Sequence, residues 1–279
     1  PTYTASGILL AAETAVLHGL LGRPAPPHLF RNRPAIYRNL KRQSDRYGFL
    51  HPVQGMDWPY VNAHTAMTHG LAGLYLDDPD GVLLETRALD FLERMVADNG
   101  GRLVRRDVAE RYSSIQDPMI MNESYAGQFA WGYLAHRLRP RGLPRPPAPE
   151  EFDRGNRGVS VHPHAGFAFH RHARGATSFS WRNTTMALPL DADGILRIAP
   201  MAGTLLGSVA VKSRPASSAA RTLRVAEEPD SFAVLFVEDL AQETVRRRVI
   251  FASLPDGSCL SWERFTALSD CTVERSEQG

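Results

Sequence analysis

The chain has 279 residues, of which 43% are hydrophobic, 22% charged and 9% aromatic, a composition that excludes disorder, a collagen repeat and a small disulfide scaffold. Its net charge of +2 balances 32 Lys and Arg against 30 Asp and Glu, with ten His in addition, which is no footprint for bulk nucleic-acid binding. Length of this kind accommodates two compact domains of about 100–200 residues each.

The cations are almost all arginine, since Lys41 and Lys212 are the only lysines. Planar guanidinium groups suit carboxylate and sulfate forks better than ammonium does. No apolar run reaches the ~18 residues of a membrane span. The apolar stretch Gly7 to Leu21 contains Glu13 and His18 and has no basic flank, so it reads as an amphipathic or buried helix rather than a signal-peptide core. Pro1 in place of an initiator Met, and a strand-like segment just before Gly279, lead to the expectation that the chain is a fragment or a processed form.

Helical patterns are predicted over Ala5 to Leu21, Leu29 to Arg46 with Pro34 near its start, Thr65 to Leu76, Val82 to Asp98 with Gly100 and Gly101 as the stop, and Glu123 to Leu138 with Asn122 as N-cap. Each carries one apolar face, and long loops separate them, which predicts stacked helical hairpins over residues 1–139. Residues 140–157 are rich in Pro and alternating charge and read as a semi-rigid linker. From 158 to 279 the hydrophobic period switches from 3.6 to 2, as in Val159, Val161, Phe167, Phe169, Phe179 and Trp181. Further strands are expected at Ile195 to Ile198, Thr204 to Val211, Phe232 to Val237 and Val245 to Phe251, with turns at Asp193-Gly194 and Asp256-Gly257. The expectation is six to nine strands in an antiparallel β-sandwich, because parallel strands would require crossover helices. Cys259 and Cys271 either pair, if their strands are neighbours in an oxidising compartment, or remain two buried thiols.

Three clusters carry candidate chemistry. In Gln54 to His64, the residues Trp58, Tyr60, Asn62 and His64 alternate, so an extended segment would present them on one side as a sugar-binding wall with acid-base groups attached. The same residues also admit a structural reading, with Trp58 and Tyr60 in the core and Asn62 as a helix cap. The second cluster is Asn122, Glu123, Ser124 and Tyr125, where the phenol is able to give a proton to a leaving oxygen or else simply fills the core. The third is the run His162, His164, His170 and His172, where zinc is a geometric possibility without a companion carboxylate or Cys nearby. No G-x-S-x-G, Walker-type or dinucleotide glycine motif is present.

The segments MDWPYVNAHTAMTHGLAGLY, Met56 to Tyr75, and HPHAGFAFHRHARGATSFSWRNTTMA, His162 to Ala187, together with the order of helices, Pro-rich link and sheets, resemble the polysaccharide lyases that join an α/α toroid to a β-sandwich. The second segment looks like the start of the sheet domain in heparinase II/III-like proteins and in hyaluronate or chondroitin lyases. The resemblance implies an α/α toroid, incomplete here because about five helices are read where the family has ten or more. It also implies β-elimination on a uronic-acid polysaccharide. Asn62 would neutralise the uronate carboxylate, His64 would be the base and Tyr125 the acid. Trp58, Tyr60 and Glu123 would line the substrate, with His170, Arg171 and Arg182 approaching from the sheets. In the family the Asn and His are adjacent, whereas Ala63 separates them here. The implied partner is an anionic polysaccharide, with no nucleic acid, no membrane and no cofactor, a structural zinc or calcium ion remaining the alternative. A secreted or periplasmic location would follow. Three other readings stay open: a glycoside hydrolase using Asp57 and Glu123 as a carboxylate pair, a noncatalytic carbohydrate-binding protein, and a zinc-dependent elimination in which the His162 to His172 run holds the ion.

Overall fold

A computed structural model describes residues 2–51, 53, 61–105, 107, 118–138, 142–182, 184–191 and 204–277. The chain divides into one unit made of Pro1–Pro52 and Asp57–Gly155 and a second made of Val53–Met56 and Asn156–Gly279. In the first, the described residues form α1 (Thr2–Leu20), a 3-10 turn (Pro27–Phe30), α2 (Arg33–Lys41), α3 (Val61–Tyr75), α4 (Pro79–Asp98), α5 (Pro118–Leu138) and α6 (Pro149–Gly155).

The local causes are visible at α4. The Asp78 carboxylate caps the helix by accepting from the Asp80 backbone N–H at 3.0 Å, and Pro79 follows where a missing N–H costs nothing. Gly101 ends it in the left-handed region, φ 86°, its N–H donating to the Val96 carbonyl. The helix starts differ from the sequence reading: α1, α3 and α4 begin three or four residues earlier than expected, at Thr2, Val61 and Pro79. α5 begins at Pro118, so Asn122 is interior to the helix rather than its cap, and Leu29 to Arg46 breaks into the 3-10 turn and α2.

The toroid expected for residues 1–139 is not formed. Six α-helices are found among the described residues, too few for a closed ring of hairpins, and their arrangement is different: α3 packs on α1, α2, α4 and α5. The reason lies in α3 itself. Residues 65–74 are buried at every position, so this helix has no polar face to turn outward and becomes the centre of the unit. Small residues make that possible. A Cβ on Gly73 would lie 2.9 Å from Val82, and one on Gly81 would lie 2.7 Å from the His69 carbonyl oxygen, so α3 and α4 touch almost backbone to backbone. Around this seam Leu9, Ala12, Val16, Met67, Leu71 and Leu92 form the main core. Within the Pro-rich segment, α6 is docked by Phe152 on Leu83 and Leu84, and Arg87 makes a two-pronged ion pair with Asp153.

The second unit holds ten strands among the described residues: β1 (Gly158–His162), β2 (Phe167–His172), β3 (Gly175–Ser180), β4 (Met186–Asp191), β5 (Ser208–Val211), β6 (Ser218–Glu228), β7 (Ser231–Leu240), β8 (Val245–Ser253), β9 (Cys259–Ala267) and β10 (Val273–Glu277). They make two four-stranded antiparallel meanders, β1-β2-β3-β4 and β6-β7-β8-β9, and a small β10-β5 pair. Ala168, Phe179 and Ala187 of the first sheet share a core with Phe232, Val234, Phe236, Val249 and Phe251 of the second, so the two sheets pack face to face. In β7 the even-numbered residues Phe232, Val234 and Phe236 are buried while Ala233, Leu235 and Val237 turn away from that core. The strand expected at Ile195 to Ile198 and the turn at Asp193-Gly194 lie outside the described residues. Asp256-Gly257 does make the β8–β9 turn, with Gly257 at φ 85°.

Candidate functional site

Of the first cluster, Asp57, Trp58 and Tyr60 lie outside the described residues, and Asn62 is in the first turn of α3 with its side chain also outside them. His64 stands one turn further on. Its Nδ1 lies 3.4 Å from Ser6 Oγ on α1, and its carbonyl accepts a hydrogen bond from the Thr68 hydroxyl at 2.7 Å. Burial lowers the imidazole pKa below its ordinary value, so the ring is held neutral near pH 7.

Tyr125 is on α5 and 1% exposed, and its hydroxyl has no hydrogen-bond partner among the described residues. Burial raises the phenol pKa above its ordinary value and keeps it protonated. Glu123, two residues earlier, is exposed.

Tyr125 and His64 lie on helices that pack together. A Cβ on Gly132 would meet Met67 of α3, and His136 donates from Nε2 to Glu85 at 3.0 Å, the same carboxylate that fills the space over Gly70. Tyr125, Phe129, Gly132 and His136 follow the i, i+4, i+7, i+11 spacing of one helix face, and His64, Met67 and Leu71 the i, i+3, i+7 spacing on α3. A neutral imidazole and a protonated phenol thus stand on two neighbouring helices.

The helical unit also holds a polar centre that sequence reasoning missed. His69 is fully buried: its Nε2–H donates to the Gly48 carbonyl at 2.8 Å, leaving Nδ1 to accept the Tyr37 hydroxyl at 2.7 Å. Burial, the larger cause, and the nearby Lys41 charge bring its pKa down to about 3, so it is a neutral structural bridge. Lys41 pairs with both Asp78 and Asp80 at 2.7 Å. No motif spacing announces this group, because its members come from four separate segments.

In the sheets, His170 is 1% exposed and faces the interior between them, where its Nδ1 lies 2.8 Å from Ser253 Oγ. His172 shares that face, 3.3 Å from Thr177 Oγ1, which in turn lies 3.4 Å from Cys259 Sγ. This is a buried polar seam: no group of three or more His, Cys, Asp or Glu among the described residues is arranged to hold a metal ion. Arg171 points to the opposite face of β2, the face of Phe167 and Phe169 on which Val53 packs, and is buried. Arg182 is exposed and donates to the His164 carbonyl, which ties down the β1–β2 turn. Cys259 opens β9 and Cys271 follows its end, beside Val211 and Val245. The eight further residues of β9, at ~3.4 Å each, carry the chain far beyond disulfide reach of Cys259 before Cys271, and both thiols are free.

Comparison with known proteins returns no match: no family model, no curated protein and no solved structure is similar to this chain.

Proposed function

We propose that the protein cleaves a uronic-acid-containing polysaccharide by β-elimination, with His64 as base and Tyr125 as acid. The observation that supports the reading is the state of two groups on the packed helices α3 and α5: burial leaves His64 neutral, able to take a proton, and Tyr125 protonated, able to give one. The reading rests on these residues and not on a toroid.

In the step itself, His64 removes the C5 proton of the uronate, whose electron pair forms the C4–C5 double bond as the C4–O bond breaks. Tyr125 protonates the departing glycosidic oxygen, and the phenolate is then reprotonated from His64 or solvent. Asn62, in the first turn of α3, neutralises the carboxylate on which negative charge develops, and this electrostatic contribution is the large one. Tyr125 is covered, so its proton reaches a substrate only after the side chain or what lies over it moves.

The test is a panel of hyaluronan, chondroitin, heparan, alginate and ulvan scored for unsaturated product by near-ultraviolet absorbance. Tyr125→Phe is expected to lower the rate by ~10²–10⁴. Turnover unchanged in that variant removes Tyr125 from the mechanism, and absence of unsaturated product on every polymer refutes the reading. A noncatalytic carbohydrate-binding protein has the burial of Tyr125 in its favour, and it predicts binding that survives Tyr125→Phe with no turnover.

A further inference from the structure

The face of the β6-β7-β8-β9 sheet turned away from the sandwich core carries an unusual set of side chains. The register places Trp262, Ile250, Leu235 and Arg224 in one row across β9, β8, β7 and β6, and Arg264, Arg248, Val237 and Thr222 in the next. Trp262 is 49% exposed, Ile250 48% and Leu260, beside them on β9, 61%. Exposed apolar groups on a sheet face are usually covered by a partner or broken up by mixed charge.

Here the charge has one sign. Arg248 and Arg264 stand directly opposite each other on neighbouring strands, an arrangement that costs stability because like charges repel across a strand pair. Neither they nor Arg224 has an ion-pair partner among the described residues. The carboxylates on this face are at its margins: Asp239 is taken up by Arg221 and Arg246, and Glu228 sits at the β6–β7 turn. A pair of opposed guanidiniums beside an exposed indole lacks only an anion.

We propose that this sheet face is a docking surface for an anionic polysaccharide, distinct from the α3–α5 seam. Guanidinium forks match the planar geometry of carboxylate and sulfate, and the indole of Trp262 offers a flat surface for the apolar face of a sugar ring. A polymer crossing the strands would run over Trp262, Ile250 and Leu235 to Arg224, a span of about 14 Å at ~4.8 Å per strand. Nucleic acid is the less suitable occupant. Single strands are held by successive stacking aromatics in a strongly basic groove, whereas this face has Trp262 as its single aromatic among the described residues, on a chain of net charge +2.

The surface stands independently of the elimination chemistry, and the experiment separates the two. Binding of the full chain is measured against chondroitin sulfate, hyaluronan with carboxylates alone, dextran sulfate with sulfates alone, neutral dextran, an oligothymidylate and phosphatidylserine vesicles. Chondroitin sulfate is expected to bind and dextran not to, with the hyaluronan and dextran sulfate arms telling which anion the arginines hold. Arg248→Ala and Arg264→Ala are each expected to weaken binding ~10-fold, and Trp262→Ala by a similar factor. The double arginine variant keeps its thermal stability, since a repulsion has been removed, and its yield of unsaturated product from a short uronate oligosaccharide is that of the parent chain. Binding of the double variant to chondroitin sulfate within twofold of the parent overturns the proposal. So does tighter, Arg248-dependent binding of the oligothymidylate or of the vesicles.

Discussion

Gly81→Ala is the sharpest test of the α3–α4 packing, because ordinary helix propensity and tertiary geometry predict opposite signs. In an exposed helix, Ala is favoured over Gly by about 1 kcal/mol. At Gly81 the new Cβ would lie 2.7 Å from the His69 carbonyl oxygen and 2.8 Å from the Gly73 nitrogen, about 0.7 Å inside the 3.4 Å at which ordinary contact begins. Both neighbours are backbone atoms of a helix buried all round, so neither can yield without moving α3 away from α4. The third neighbour, Tyr37 Oη at 3.3 Å, is fixed by its bond to His69. Overpacking of this kind costs ~1–3 kcal/mol or more, which outweighs the propensity gain. A net loss of ~1–2 kcal/mol after the propensity gain, at ~2–4 °C per kcal/mol for a unit of this size, is expected to lower the melting temperature followed by helical circular dichroism by about 2–8 °C. Gly127 on α5 supplies the control, since it is exposed and a Cβ there meets nothing within 4 Å. Gly127→Ala is expected to raise the melting temperature by about 1–4 °C. A Gly81→Ala chain that melts at or above the parent temperature would refute the close backbone approach.

Other expectations follow from single groups. The hydrogen bond from His136 to Glu85 raises the imidazole pKa above 6.5 against an opposing effect of burial. The pair therefore stabilises fully below the unfolded value of 6.5 and loses its contribution as pH rises through the higher folded value. Urea midpoints from about pH 5 to 8 should decline in the parent and flatten in His136→Gln; parallel profiles would count against the pairing. Asp239 behaves in the opposite sense. Hydrogen bonds from Arg246 first and Arg221 next bring its carboxyl from 3.8 down to about 2, so its contribution is present above 3.8 and lost as pH falls toward 2. Acid unfolding of Asp239→Asn should accordingly be less steep over that window, and an unchanged slope would dissociate Asp239 from acid stability. Tyr125→Phe removes a buried hydroxyl that has no partner among the described residues, so stability should stay level or rise by up to ~1 kcal/mol while turnover falls. A loss of stability in that variant would reveal a bond to the hydroxyl.

Much of the architecture was legible along the chain because it is local. Periodicity of 3.6 marked α3, α4 and the second half of α5, and alternation marked β2, β3, β7 and β8. Gly100-Gly101 marked the end of α4 through left-handed backbone, an effect confined to a few neighbouring residues, whereas the Asp78 cap and Pro79, which start it before the expected Val82, were not read. The Pro-rich segment misled in part. Pro149 opens a helix whose Phe152 finds its pocket only among residues some seventy positions earlier, on α4.

The toroid fails for a similar reason. One apolar face per helix suggests a ring of hairpins, but the small residues of α3, Gly70 and Gly73 among them, let neighbours close in from every side, and burial all round is a property of the assembled helices. His64 and Tyr125 could be singled out by residue type, but that their helices pack together depends on tertiary contacts such as that of Gly132 with Met67. Arg248 and Arg264 show the division most clearly. Alternation in the sequence by itself placed Arg248 on a strand, whereas the strand that carries Arg264 was not read there. That the two guanidiniums face each other beside Trp262 was decided by the β8–β9 turn, because a shift in its length would move every cross-strand partner while leaving each strand's own alternation intact.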